Sequence, residues 1–172
     1  MTHLAVTLER APTVPGFTAD ADRWPMHATL LQSFRIDSGV EAVAVLVHGR
    51  AAGTGVVTAI GDHQEGFGPN RDILVTVLGD AQQLVGLHRA LLADFGTLPG
   101  FAPDVPEWAG AGYRPHVTAG AWGALRPGEP VTFDRIALVD VDAADGRPRV
   151  AAVVSLSDGF RSADPPKLSR DG

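Results

Sequence analysis

The sequence contains no cysteine, a single lysine and no long uninterrupted run of apolar residues. The missing thiols exclude disulfides, thiolate metal sites and a cysteine nucleophile, as is usual for cytoplasmic proteins. Because no stretch of about 18 apolar residues occurs, no membrane span is predicted. The opening residues MTHLAVTLER also lack the basic and long apolar regions of a signal peptide. We therefore expect a cytoplasmic protein.

Positive charge is also scarce, with 14 Lys and Arg residues against 20 Asp and Glu residues and a formal net charge of −6. Proteins that grip a long nucleic acid usually present a basic face that displaces counterions. The acidic balance therefore argues against a long nucleic acid as partner. Any phosphate-bearing partner is expected to be small.

The remaining pattern predicts a mixed α+β chain. Its elements run in the order β, β, α, β, β, α, β, β, β, separated by loops rich in Pro and Gly, which favours antiparallel sheets. No linker of real length divides the 172 residues, so residues 1–160 are predicted to form one domain. The tail at 161–172 has no apolar period and is predicted to be disordered.

Several of these elements have predicted limits. Apolar alternation indicates strands at 26–34, 55–63 and 72–80 and one continuous strand at 131–142. The two helices are predicted at 38–53 and 80–96, with Ser38 and Asp80 as their N-caps. Helix 80–96 has a buried stripe that includes His88, which we interpret as a core residue.

Two short motifs, HATL at 27–30 and HVTA at 116–119, stand at corresponding places in the two halves of the chain. Because strand side chains alternate between faces, His27 and Thr29 share one face of their strand. His116 and Thr118 share a face in the same way. Each motif follows a Pro-containing irregular segment, and each has apolar residues on its reverse face.

These paired H-x-T motifs resemble the signature of the 2H phosphoesterases, the family of the bacterial 2′–5′ RNA ligases and cyclic phosphodiesterases. The order of elements and the segment RPHVTAG are also similar, over roughly residues 3–159. The sequence departs from the family pattern at Met26, where Pro often stands, and at Ala119, where Leu is common. The resemblance implies two-lobed, pseudo-symmetric antiparallel sheets with outer helices around a central cleft.

The chemistry of the motifs fits the activity that this resemblance implies. Opening a cyclic phosphate needs a base for the nucleophile and an acid for the leaving oxygen, and histidine serves both near neutral pH. His27 and His116 are therefore the expected catalytic pair, although the sequence does not say which is the base. The hydroxyls of Thr29 and Thr118 are expected to bind the phosphate oxygens.

The resemblance implies a substrate class. We expect a 2′,3′-cyclic phosphate or a 2′–5′-type phosphodiester, in a small nucleotide or at an RNA end, and the reaction could run in reverse as ligation. No metal, cofactor or membrane partner is expected, and the chain is expected to be a monomer. Trp24, Tyr113 and Arg114 are candidate substrate contacts, with loop packing as the equal alternative.

Three other functions stay open from the sequence. The chain could be a nucleotide- or RNA-binding module without catalysis, or a phage-type phosphodiesterase that degrades cyclic oligonucleotides. A metal-dependent phosphodiesterase using Asp62, His63 and Glu65 is also conceivable, although no recognised ligand spacing such as HExxH supports it.

Overall fold

The computed structural model describes residues 1–10, 13–20 and 23–156 of the chain. Its elements in chain order are β1 (Thr2–Glu9), β2 (Ala28–Ile36), α1 (Val40–Ala51), β3 (Val57–Phe67), β4 (Ile73–Gly79), α2 (Gln82–Phe95), β5 (Ala102–Pro103), β6 (His116–Thr118), β7 (Pro130–Phe133), β8 (Arg135–Asp140) and β9 (Arg149–Ser155). Neither helix is long and apolar enough to span a membrane. The predicted tail at 161–172 lies outside the described residues.

The nine strands form one antiparallel sheet in the order β7-β3-β4-β6-β2-β1-β8-β9, with β5 paired to β2. Asp134 alone joins β7 to β8, although these strands stand first and seventh in that order. A single residue spans only a few ångströms, so the sheet curls until its distant strands come close together. This curled antiparallel sheet with two helices confirms the predicted α+β fold.

The strands that carry the two motifs are neighbours at the centre of the sheet. In the order of the sheet, one half consists of β7, β3, β4 and β6. The other half consists of β2, β1, β8 and β9. The two halves of the sheet therefore meet where β6 pairs with β2. This arrangement brings together two motifs that are 89 positions apart along the chain.

The main hydrophobic core lies between the sheet and both helices. The core-facing side chains of the motif strands, Ala28, Leu30 and Val117, are each at most 1% exposed. They belong to the same buried cluster as the helix residues Val43, Val47, Leu84, Leu91 and Phe95. The alternation of strand side chains therefore turns the motif histidines and threonines toward the opposite face of the sheet.

The prediction of one strand over 131–142 is wrong. Asp134 interrupts it, because its N–H donates to the Glu9 carbonyl and its own carbonyl accepts from the N–H of Leu156. The residues before Asp134 pair with β3, whereas those after it pair with β1 and β9. No Gly or Pro stands at this change of partner, so the turn signals of the sequence did not reveal it.

Both predicted N-caps are also wrong. Gly39 caps α1 and Ala81 caps α2, and neither makes a side-chain capping bond. The Ser38 carbonyl instead accepts a hydrogen bond from the Thr2 hydroxyl. Asp80 has a left-handed backbone, with φ of 48°. The buried apolar stripe of α2, which the sequence did predict, packs that helix into the core.

Candidate active site

Backbone register assembles the two motifs into one group. Ala28 pairs with Val117 across the antiparallel strands β2 and β6. Extending that register by one residue in each direction sets His27 opposite Thr118 and Thr29 opposite His116. Residues directly opposite in an antiparallel pair lie on the same face with neighbouring Cβ atoms. We call these four residues the quartet, and each of them is partly exposed.

The two imidazoles of the quartet are held in the same way. His27 Nδ1 donates to the Pro25 carbonyl at 2.8 Å, and His116 Nδ1 donates to the Arg114 carbonyl at 2.7 Å. A carbonyl oxygen only accepts, so the hydrogen is on Nδ1 in both rings. In the neutral form of each ring, Nε2 then carries the lone pair that can take up a proton.

Burial and nearby positive charge both lower the pKa of His116. Burial lowers the pKa of its imidazole below the usual value, and the charges of His27 and Arg114 lower that pKa further, against the opposing effect of the Arg114 carbonyl. The Phe67 ring covers the imidazole, with 4.7 Å between ring centroids. The influence of His27 on this pKa agrees with the register that brings both rings to one site.

A cavity of about 490 Å³ is lined by three residues of the quartet, Thr29, His116 and Thr118. It follows the edge of β2 toward β5 and the short 3₁₀ turns at 106–108 and 110–112. Its volume is in the range of pockets that hold small organic ligands. The walls are mainly apolar and aromatic, and include Leu31, Phe67, Ile73, Phe101, Val105 and Trp108.

Sequence comparison identifies the family to which this arrangement belongs. The profile of the 2′-5′ RNA ligase superfamily matches residues 4–145, which is more than half of the chain. The chain belongs to this superfamily, the 2H phosphoesterases. Membership supports a 2H phosphoesterase activity in general. No curated protein gives a significant match.

Solved structures agree with the superfamily fold. A protein of Thermus thermophilus, TT0787, is similar with a TM-score of 0.59 and 18% identity over 91% of this chain and 98% of its own. E. coli LigT, solved with 3′-AMP, gives a TM-score of 0.51 and 18% identity over 91% and 99%. A protein described as a phosphoesterase gives a TM-score of 0.51 and 20% identity over 91% and 99%. At these identities the likeness establishes the fold alone.

Tyr113 joins the two motif segments of this 2H phosphoesterase. It lines the cavity, its hydroxyl donates to the Thr29 carbonyl at 2.9 Å, and its ring stacks on His88 with 3.9 Å between centroids. His88 in turn donates from Nδ1 to the Leu30 carbonyl and accepts from the Gly110 N–H. His88 is 1% exposed. A polar ring on a buried helix stripe requires such partners, but the sequence did not identify them.

Arg114 lines the cavity and is paired with a carboxylate. Its guanidinium donates to both carboxylate oxygens of Glu65, the shorter bond measuring 2.5 Å, and lies 5.0 Å from the centre of the Phe67 ring. Its side chain is half exposed. A phosphate that approached Arg114 would therefore compete with Glu65.

The residues of the metal-dependent alternative lie nearby on β3. His63 contacts Asp62 through Nδ1 at 2.9 Å and Glu65 through Nε2 at 3.6 Å. The two carboxylates therefore lie on opposite ring nitrogens and do not converge on one point. Within the described ranges, no group of three or more potential ligands is arranged to hold a metal ion.

The sequence leaves Trp24 with two roles, substrate contact or loop packing, and its surroundings favour packing. Trp24 is only 8% exposed and packs in a separate cluster with Phe17 and Val139. Its indole N–H donates to the fully buried carboxylate of Glu9 at 2.9 Å. It is not among the residues that line the cavity. Its contacts are therefore those of a packed residue three positions before His27.

Proposed function

We propose that this protein is a metal-independent phosphodiesterase that acts by two-histidine acid–base catalysis. Its substrate is a 2′,3′-cyclic phosphate or a 2′–5′-type phosphodiester of a small nucleotide or RNA end. His27 and His116 transfer protons, and Thr29 and Thr118 bind the phosphate. Ligation is the reverse of the same chemistry. We retain the single two-lobed domain, the monomeric state and the cytoplasmic location as predictions.

The observation that carries the proposal is the matched orientation of the two imidazoles. Each uses Nδ1 for a backbone carbonyl two residues earlier in the chain, at 2.8 Å for His27 and 2.7 Å for His116. Each Nε2 is thereby left to exchange a proton. Two such groups on one face of the sheet supply what an in-line displacement needs, a base on one side of phosphorus and an acid on the other.

We assign the role of general base to His116. Its lowered pKa keeps the imidazole neutral near pH 7, and a base must be unprotonated before the reaction begins. His27 then donates a proton to the leaving ribose oxygen. In hydrolysis of a cyclic phosphate, water forms the new P–O bond, one P–O bond to the ribose breaks, and a phosphate monoester results. The threonine hydroxyls donate to the non-bridging oxygens as their charge grows.

The apolar cavity is the proposed binding place for the nucleoside of the substrate. It adjoins Thr29, His116 and Thr118, and its aromatic walls suit a flat base. The complex of E. coli LigT with 3′-AMP supports a small nucleotide as ligand of this fold. We retain Tyr113 as a candidate contact in this cavity and Arg114 as a candidate contact at its edge.

A substrate panel tests this function. Purified protein is incubated with 2′,3′-cyclic nucleotides, 2′–5′ dinucleotides and cyclic dinucleotides in the presence of EDTA, and compared with His27→Ala and His116→Ala. We expect turnover in EDTA and a loss of about 10²-fold or more in each variant. His48→Ala, an exposed histidine on α1, is the matched control and should retain full activity.

The other outcomes identify the rival functions. Activity that EDTA abolishes would favour the metal-dependent phosphodiesterase. Tight binding without turnover, and with little loss of affinity in His27→Ala, would favour the binding module. Turnover of cyclic dinucleotides alone would favour the enzyme that degrades cyclic oligonucleotides. Full activity in either motif variant would contradict the two-histidine scheme.

A further inference from the structure

Trp122 is an exposed aromatic residue that serves as a hydrogen-bond donor. It is 60% exposed, yet its indole N–H donates to the Arg23 carbonyl at 2.8 Å. The turn that carries Trp122 is closed by two backbone bonds, in which the N–H groups of Gly120 and Gly123 each donate to the carbonyl of the other. The closed turn fixes the backbone of Trp122, and the bond to Arg23 fixes its side chain.

The bond from Trp122 joins the two motif segments at a second place. Trp122 lies in the segment that leaves the second motif, and Arg23 lies four residues before His27, in the segment that enters the first motif. Tyr113, in the segment that enters the second motif, makes the other bond, to the Thr29 carbonyl. Side chains on both sides of the second motif therefore hold the backbone around the first.

The carbonyl that orients His27 lies within the segment that Trp122 holds. Pro25 accepts the bond from His27 Nδ1 at 2.8 Å, and only Trp24 separates Pro25 from Arg23. The buried Trp24 anchors this segment to β1, whereas Trp122 anchors it to the second motif. Planar peptide bonds and the fixed φ of proline leave few free torsions between the Arg23 and Pro25 carbonyls, so a displacement of one also displaces the other.

We propose that Trp122 is a positioning residue for the general acid His27. This inference rests on the proposed function, in which His27 protonates the leaving oxygen. The Trp122 N–H fixes the Arg23 carbonyl and thereby the direction of the Pro25 carbonyl. The Pro25 carbonyl holds Nδ1 of His27, which leaves Nε2 for the proton transfer. Trp122 acts through this segment and not by contact with the substrate.

Two substitutions separate the N–H of Trp122 from its ring. Trp122→Phe keeps an aromatic ring and removes the donor. Trp122→Gln removes the ring but keeps a donor, since the amide nitrogen is as many bonds from Cα as the indole nitrogen is. On the best substrate of the panel, kcat of Trp122→Phe should fall about tenfold or more, because misplacement by about 1 Å can cost about 10²-fold. KM should stay within about twofold of wild type, and Trp122→Gln should recover most of kcat.

NMR measures the orientation of His27 without turnover. Nitrogen-15 shifts of the imidazoles are recorded at about pH 9, where histidines of ordinary pKa are neutral. The wild-type ring should carry its hydrogen on Nδ1. Trp122→Phe should add a population of His27 with the hydrogen on Nε2, and Trp122→Gln should remove that population. The His116 ring, bonded to the Arg114 carbonyl, is the internal control and should not change.

A matched variant tests another exposed tryptophan. Trp108 is half exposed and lines the cavity, outside the segments that Trp122 joins. Trp108→Phe should therefore leave the tautomer of His27 as in wild type. A change of that tautomer in Trp108→Phe as large as in Trp122→Phe would overturn the specific role of Trp122.

The outcomes separate this inference from the proposed function. A changed His27 tautomer in Trp122→Phe, with a lower kcat that Trp122→Gln restores, would support the positioning role. The same tautomer change in a protein that turns over no substrate of the panel would still support the positioning of the ring, while the proposed function fails. An unchanged tautomer, an unchanged kcat in an active enzyme, or equal losses in both variants would overturn the inference.

Discussion

The Tyr113 hydroxyl donates a hydrogen bond of 2.9 Å to the backbone carbonyl of Thr29. This bond joins the segment that enters the second motif directly to the strand of the first motif, 84 positions earlier in the chain. Tyr113 also stacks on the ring of His88, a buried residue of helix α2. Helix α2 therefore helps to position the tyrosine that makes this bond. The spacing of the two motifs therefore depends on a side chain outside both of them.

Removal of this hydroxyl should weaken both stability and catalysis. Tyr113→Phe keeps the ring on His88 but leaves the Thr29 carbonyl without this donor. We expect the free energy of unfolding to fall by about 0.5–1.5 kcal/mol, with a lower kcat on the best substrate of the panel. Thr54→Val, which removes an exposed hydroxyl-to-carbonyl bond on the Arg50 carbonyl, is the control. An unchanged kcat in Tyr113→Phe would show that the bond does not align the motifs.

The same tyrosine should resist ionisation. Burial raises the pKa of Tyr113 well above its usual value, and it is the only tyrosine in the chain. The unfolded chain releases this proton at about pH 10 and the folded chain does not, so the free energy of unfolding should decrease as the pH rises above about 10. Ultraviolet absorbance should report phenolate only when circular dichroism reports unfolding. Reversible ionisation in the folded state near pH 10 would contradict this burial.

The pH dependence of activity should carry the signature of His116. A base is lost on protonation, so kcat/KM should fall as the pH drops through the pKa of His116, below the usual histidine value of about 6.5. In His27→Gln the neighbouring positive charge is absent, and NMR should find the His116 ring titrating at a higher pH. His48→Gln should leave that titration unchanged. A His116 titration unaffected by His27→Gln would mean that the two rings are not close.

Substitution of Trp24 tests whether this residue packs the fold or contacts the substrate. Trp24→Phe removes the indole N–H from the buried Glu9 carboxylate, which keeps the Thr7 and Thr13 hydroxyls. Loss of a donor to a buried polar group costs roughly 1–3 kcal/mol, which urea unfolding would measure. KM should stay close to that of wild type. A raised KM at unchanged stability would restore Trp24 as a substrate contact.

The parts of the fold that depend on local periodicity were predictable from the sequence. Alternation of faces separates Ala28 and Val117, which are buried, from the four polar residues of the quartet. The predicted strands at 55–63 and 72–80 correspond to β3 and β4, which pair with each other, and the predicted stripe of α2 is buried. These features depend on neighbours within one strand, hairpin or helix, so the sequence pattern contains them.

The features that depend on distant partners were not predictable. The break at Asp134 depends on backbone bonds to Glu9 and Leu156, which no local pattern encodes. Tryptophan is a residue type that often lines binding clefts. Trp24 instead donates its indole N–H to the buried carboxylate of Glu9 in β1. The pairing of Tyr113 with Thr29 likewise depends on how α2 and β2 pack together. Contacts between segments that are far apart in the sequence determine these positions.

The most direct test of the central claim is a crystal structure with uridine 2′,3′-cyclic vanadate, an analogue of the pentacoordinate phosphorus. The account predicts vanadium at the quartet, with His27 Nε2 and His116 Nε2 on opposite sides, each about 3 Å from an apical oxygen. Vanadium in contact with only one of the two imidazoles, or bound away from both, would contradict the account.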